Sequence, residues 1–99
     1  MEMRAFKTIQ TGEVTGTTSA VQMPNVPCSY VKIKAQVANS GNVLIGGAAT
    51  MTVPDGVGDS TTGYELDSGQ EIEVWVENLN KLYLIASASG NHVTYIAFS

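Results

Sequence analysis

Two antiparallel β-sheets packed as a jelly-roll-like β-sandwich, an all-β architecture of about eight short strands, are what this sequence predicts. Apolar residues alternate with polar ones at a period of two in nearly every segment, and the helical period of 3.6 is nowhere sustained. Gly, Asn, Asp, Ser and Pro punctuate the chain at short intervals, as turns between strands require. Charged residues make up only 14% of the chain against ~25% in an average soluble domain, so the expected surface is polar more than ionic.

The candidate strands follow in order. Arg4 to Thr8 comes first and is closed by Thr11-Gly12; Ser19 to Met23 is second and is closed by Pro24-Asn25-Val26-Pro27. Ser29 to Val37 shows the pattern most simply, with Val31, Ile33, Ala35 and Val37 on one face and Lys32, Lys34 and Gln36 on the other. After Asn39-Ser40-Gly41-Asn42 the strand Asn42 to Ile45 begins, and Ala48 to Thr62, rich in Thr and Gly with little alternation, reads as a long loop. Gly63 to Leu66 ends at Asp67-Ser68-Gly69, and Glu71 to Glu77 ends at Asn78-Leu79-Asn80. The last two strands, Lys81 to Ser87 and His92 to Phe98, flank Ser89-Gly90-Asn91. No repeat or linker divides the 99 residues, which fit a single domain, 1–99.

The last three strands are expected to form a meander. A three-residue loop at Asn78-Leu79-Asn80 would set Trp75 opposite Tyr83 and Glu77 opposite Lys81, and the Ala88 to Asn91 loop would carry the same faces into the final strand. Val74, Leu82, Leu84, Val93, Tyr95 and Ala97 then share one face, while Trp75, Tyr83, Ile85, Ile96 and Phe98 share the other. Both faces are apolar. The second is either covered by another part of the same chain or covered by identical subunits or a larger shell, in which case those five residues are the interface.

Charge narrows the range of partners. Five Lys and Arg against nine Asp and Glu give a formal net charge of −4, and the cations form no cluster, so nucleic acid is not an expected partner. The apolar run Val43 to Val53 is too short to cross a bilayer and is broken by Gly46-Gly47, and the first ten residues lack the apolar core of a secretory signal. A soluble chain that remains or assembles in a reducing cytoplasm is expected. With Cys28 as the single cysteine, no internal disulfide can form.

Catalytic chemistry finds little support. His92 is the single histidine and follows a turn, with no nucleophile motif beside it, and Cys28 between Pro27 and Ser29 reads as a packed thiol. Glu71, Glu73 and Glu77 repeat along one strand face as a solvated row would, although paired carboxylates at such spacing also occur in glycosidases. Asp55, Asp59 and Asp67 lie near Gly-rich turns without the spacing of an EF-hand, so turn chemistry explains them as well as calcium does. Gly46-Gly47 and Gly56-Val57-Gly58 lack the Lys-Ser/Thr of a phosphate loop. No catalytic residue, cofactor or metal is therefore expected. Aromatics such as Trp75, Tyr83 and Tyr30 on a flat sheet suit a protein partner better than a sugar ring.

Several turn-plus-strand signatures occur together: Val21-Gln22-Met23-Pro24, Pro27-Cys28 leading into Val31-Lys32-Ile33-Lys34, Asn39 through Gly47, Leu66-Asp67-Ser68-Gly69-Gln70-Glu71-Ile72, Asn78 through Ala86, and Gly90-x-x-Val93-x-Tyr95. In these the chain resembles small virion proteins of tailed bacteriophages, of the head decoration or cement type. Ser68 stands where such proteins often have Pro, and the Ala48 to Thr62 stretch is longer than the pattern. The resemblance implies a β-sandwich, frequently a homotrimer, that binds the major capsid protein or other virion subunits and stabilises the shell. It implies a virion location reached by assembly in the host cytoplasm. A neck, tail or fibre component and a carbohydrate-binding module of the virion are the alternatives.

Overall fold

A computed structural model describes residues 7–51 and 63–99. Eight strands are present: β1 (Ile9–Gly16), β2 (Val21–Gln22), β3 (Tyr30–Ala35), β4 (Val43–Gly46), β5 (Tyr64–Leu66), β6 (Glu71–Val74), β7 (Tyr83–Ala86) and β8 (Asn91–Phe98). They form two four-stranded antiparallel sheets, here sheet A in the order β1-β8-β3-β6 and sheet B in the order β2-β7-β4-β5. Every connection except β4 to β5 passes from one sheet to the other, which is the double Greek key of a jelly roll. The predicted fold class is thereby observed.

Alternation along the strands builds the core between the sheets. Val31, Ile33 and Ala35 of β3 and Val93 and Ala97 of β8 point inward from sheet A, and Val43, Ile45, Leu66, Leu84 and Ala86 meet them from sheet B. Each fully buried Val, Leu or Ile removed from water contributes about 1.5–3 kcal/mol before the cost of ordering it. Cys28 lies in the same core, its thiol donating to the Val76 carbonyl at 3.1 Å, and burial pushes its pKa up. One polar side chain is buried among the described residues: Asn91, whose Oδ1 accepts from the Ser40 and Gly41 amides and whose Nδ2 donates to the Ala88 carbonyl.

The expected meander is not present. β6 pairs with β3, β7 with β2 and β4, and β8 with β1 and β3, so Trp75 does not oppose Tyr83 and Glu77 does not oppose Lys81 across a hairpin. The reason lies between β6 and β7. Asn78 caps a 3-10 turn at Leu79–Lys81, its Oδ1 accepting from the Asn80 and Val26 amides, and Leu79 is fully buried in the core. Burying Leu79 while Pro27 bridges to Asn78 carries the chain from sheet A to sheet B instead of reversing it.

The first strand also differs. Arg4 to Thr8 was expected to be extended and Thr11-Gly12 to turn, whereas β1 runs straight through Gly12. Residues 1–6 and 52–62, including Asp55, Asp59, Gly56-Val57-Gly58 and most of the expected long loop, lie outside the described residues. No helix among the described residues is long and apolar enough to cross a membrane.

Candidate functional site: an aromatic row on sheet A

The outward face of sheet A is set by three registers. Tyr30 pairs with Phe98, Phe98 with Ile9, and Val31 with Val74, so the residue after Val74, Trp75, falls beside Tyr30. Ile9, Phe98, Tyr30 and Trp75 thus form a row across all four strands at one end of the sheet. The Tyr30 ring stands 4.7 Å from that of Trp75, tilted by 36°, and 5.5 Å from that of Phe98 at 25°. Tyr30 is therefore flanked on both sides. Trp75 is 70% exposed and Ile9 61%, while Tyr30 and Phe98 are half-buried.

Polarity rises away from this row. The next rank across the sheet is Thr11, Ile96, Lys32 and Glu73, and the one after it Glu13, Thr94, Lys34 and Glu71. Lys32 reaches Glu71 at 3.5 Å, pairing two of the charges on the face. The Tyr30 phenol has its pKa raised, first by lost hydration, then by a hydrogen bond to the Glu73 carboxylate and the negative charges of Glu73 and Glu71. Further along, His92 Nδ1 lies 3.5 Å from Glu13 and 3.1 Å from the Thr15 hydroxyl, and Gln36 donates to Glu13 at 2.9 Å. This group sits on an open strand face, and the depressions near it and beside Glu71 and Glu73 are shallow and open. Among the described residues no cluster of three or more His, Cys, Asp or Glu could hold a metal ion.

The five expected interface residues do not form one surface. Trp75, Ile96 and Phe98 do share the outer face of sheet A, as expected. Tyr83 and Ile85 are on sheet B, because β7 belongs to the other layer. Ile85 is 2% exposed, packed with Leu44 and Met51 of its own chain, and Tyr83 is half-buried against the same cluster. Ile85 is thus no surface residue, a correction that follows from β4 lying beside β7 and Met51 folding over both. Ile9 lies outside the expected strand Arg4 to Thr8 and just before the expected turn at Thr11-Gly12, so the sequence does not single it out, and it marks Tyr30 only as an exposed aromatic. Its place at the head of the Lys32 and Lys34 face was the available signal.

What the arrangement offers chemically is a ridge of apolar surface bordered by a polar, charged field. Such a face gains free energy by leaving water against another surface. The class of protein defined by fold and face together is a jelly-roll sandwich with an uncovered aromatic ridge.

No protein-family model matches the chain, and no curated protein matches it. Among solved structures, the stem and receptor binding domain of the spike protein P1 from bacteriophage PM2 is similar at 16% sequence identity and a TM-score of 0.51, over 96% of this chain. The chain spans about a third, 31%, of that spike structure. A chain from the disulfide-linked pili that form Bacillus endospore appendages aligns over 100% of this chain and 96% of its own length, with 13% identity and a TM-score of 0.40. At these identities the spike domain speaks for the fold alone.

Proposed function

We propose that this chain is a non-enzymatic structural module of a phage virion, a head decoration or cement protein that binds the shell as a homo-oligomer through the aromatic row of sheet A. The observation that carries the reading is the exposure of Trp75 at 70% in one row with the exposed Ile9 and with Tyr30 and Phe98, whereas among the described residues the other exposed large apolar side chains, Val37 and Tyr64, lie outside this row. Apolar patches rimmed by polar residues mark interaction surfaces, and aromatic anchors dominate the binding energy at such surfaces. The turn and strand signatures shared with decoration proteins support the partner class, a capsid subunit or another virion subunit, and support self-association of the chain. The fold likeness to a phage spike domain is compatible with the same setting.

Immunogold labelling of virions released by cells that produce the chain tests this. Gold on the heads is the expected result, and particles without label overturn the reading. Labelled tails or fibres would favour the second reading, a tail or spike component, which the spike-domain likeness keeps in view. A sugar-binding role gains less from the geometry, because Tyr30 is flanked by the Trp75 and Phe98 rings and, within this row, Trp75 is the exposed aromatic.

A further inference from the structure

Sheet A ends on a long open edge. Thr8 and Ser99 exchange reciprocal bonds, each N–H donating to the other's carbonyl at 2.9 Å. Continuing that alternation, the backbone groups of Gln10, Gly12, Val14 and Gly16 face β8, and those of Ile9, Thr11, Glu13 and Thr15 face away from it. The far side of β8 agrees, since the carbonyls of Phe98 and His92 accept from Ser29 and Gln36 on the β3 flank. Among the described residues nothing pairs with the outward groups of β1. The other sheet edges are shorter: β6 has four residues, β5 three and β2 two. β1 has eight and carries no Pro and no Lys, two devices by which proteins blunt such edges.

We propose that β1 pairs antiparallel with β1 of a second copy of this chain, across a two-fold axis at Gly12. This register sets Ile9 opposite Thr15 and Thr11 opposite Glu13 of the second copy, and the reverse, so all four outward-facing residues exchange backbone bonds. The competing registers are worse. A shift of two residues one way opposes Glu13 to its own copy, like charges face to face, and a shift the other way opposes Ile9 to Glu13; each leaves part of the strand unpaired. At the axis Gly12 meets Gly12, so the two strands bring no side chain of their own there, and the Tyr95 ring of each copy lies over its own Gly12 on the inner face. The two sheets A then become one continuous eight-stranded sheet, with the aromatic rows at opposite ends and both left open. Isologous contact of this kind is self-complementary and closes without further copies. The proposal rests on the reading of the chain as self-associating but makes no use of Trp75, so the two can fail separately.

Amide exchange followed by NMR on the full chain, in dilute and concentrated samples, tests the pairing. Exchange at Thr11 and Glu13 should slow by at least about tenfold on concentration, while Gly12 and Val14, bonded to β8, stay protected throughout. Thr11→Pro removes an outward N–H without touching the β8 ladder and should shift the mass from light scattering to that of the monomer. The proposal is overturned if Thr11 and Glu13 exchange freely at concentrations where the chain is associated, if the chain is monomeric at every concentration, or if a folded Thr11→Pro variant keeps the wild-type mass. Should Thr11→Pro fail to fold, the exchange data decide. Loss of association in Trp75→Ala with Thr11 and Glu13 unprotected in the wild type would sink the edge pairing and leave the aromatic surface standing.

Discussion

The rings of Tyr30 and Trp75 lie 4.7 Å apart at the end of sheet A, one at the start of β3 and the other just past the end of β6. Trp75 gains little from its own chain beyond this contact, since 70% of it stays in water. An aromatic pair contributes about 0.5–1.5 kcal/mol beyond area burial. Trp75→Ala should therefore cost the fold no more than about 1 kcal/mol while weakening association much more strongly. Thermal melting and light scattering on the same samples compare the two effects. Parallel losses would mean that Trp75 serves the fold and not an interface.

Tyr30 gives a second, spectroscopic handle on the same face. Its phenol is held above the ordinary value of 10.0 by lost hydration, by the hydrogen bond to Glu73 and by the charges of Glu73 and Glu71. The proton is thus bound more tightly in the folded chain than in the unfolded one. The linked stability is fully present below the unfolded value and is lost as pH rises through the folded one. Tyrosinate absorbance, taken as the difference between wild type and Tyr30→Phe, should show late ionisation, and Glu73→Gln should bring it earlier. A Tyr30 titration unmoved by Glu73→Gln would contradict the contact.

Asn91 ties two connections, β3 to β4 and β7 to β8, together at the opposite end of the sandwich. Its side chain is 1% exposed, accepts from Ser40 and Gly41 at 3.0 Å each and donates to Ala88 at 2.9 Å. Truncation to Ala leaves two amides and a carbonyl without these partners in a dry site, and such losses cost about 1–3 kcal/mol each when unrelieved. Asn91→Ala is expected to lower stability by about 2–3 kcal/mol, measured by urea unfolding. Asn91→Asp, which keeps the acceptor and loses the donor, should fall between the two; a variant as stable as wild type would show that water replaces the lost bonds.

Most strands were legible because half-buried antiparallel strands alternate, and Val31, Ile33 and Ala35 against Lys32 and Lys34 leave little choice of face. Partners were not legible, since alternation fixes which residues share a face and says nothing about which strand lies alongside. The expected meander chose the nearest neighbours, whereas Leu79, read as the middle of a turn, is the buried residue that sends the chain to the other sheet. For the same reason Trp75 and Phe98 were placed correctly together, both being on sheet A, while Tyr83 and Ile85 were grouped with them wrongly.

Gly12 is where the sequence misled most directly, and the structure explains why. Paired with Thr11 it reads as a turn, yet it lies in the middle of β1 opposite Tyr95. A Cβ at Gly12 would stand 2.5 Å from the Tyr95 hydroxyl and 2.7 and 2.8 Å from two ring carbons, so the glycine is present to let the ring lie across the strand. The ring is rigid and packs against the core, so it cannot yield by a simple rotation of its end. Gly12→Ala should therefore destabilise by about 1–3 kcal/mol, as overpacking does. Removing the obstacle should remove the penalty. In the double variant Gly12→Ala with Tyr95→Ala, the added methyl should cost almost nothing beyond the loss due to Tyr95→Ala alone, giving a coupling close to the whole Gly12→Ala effect. Additive losses in urea unfolding would mean that the methyl is resisted by the backbone of β1 and not by the ring.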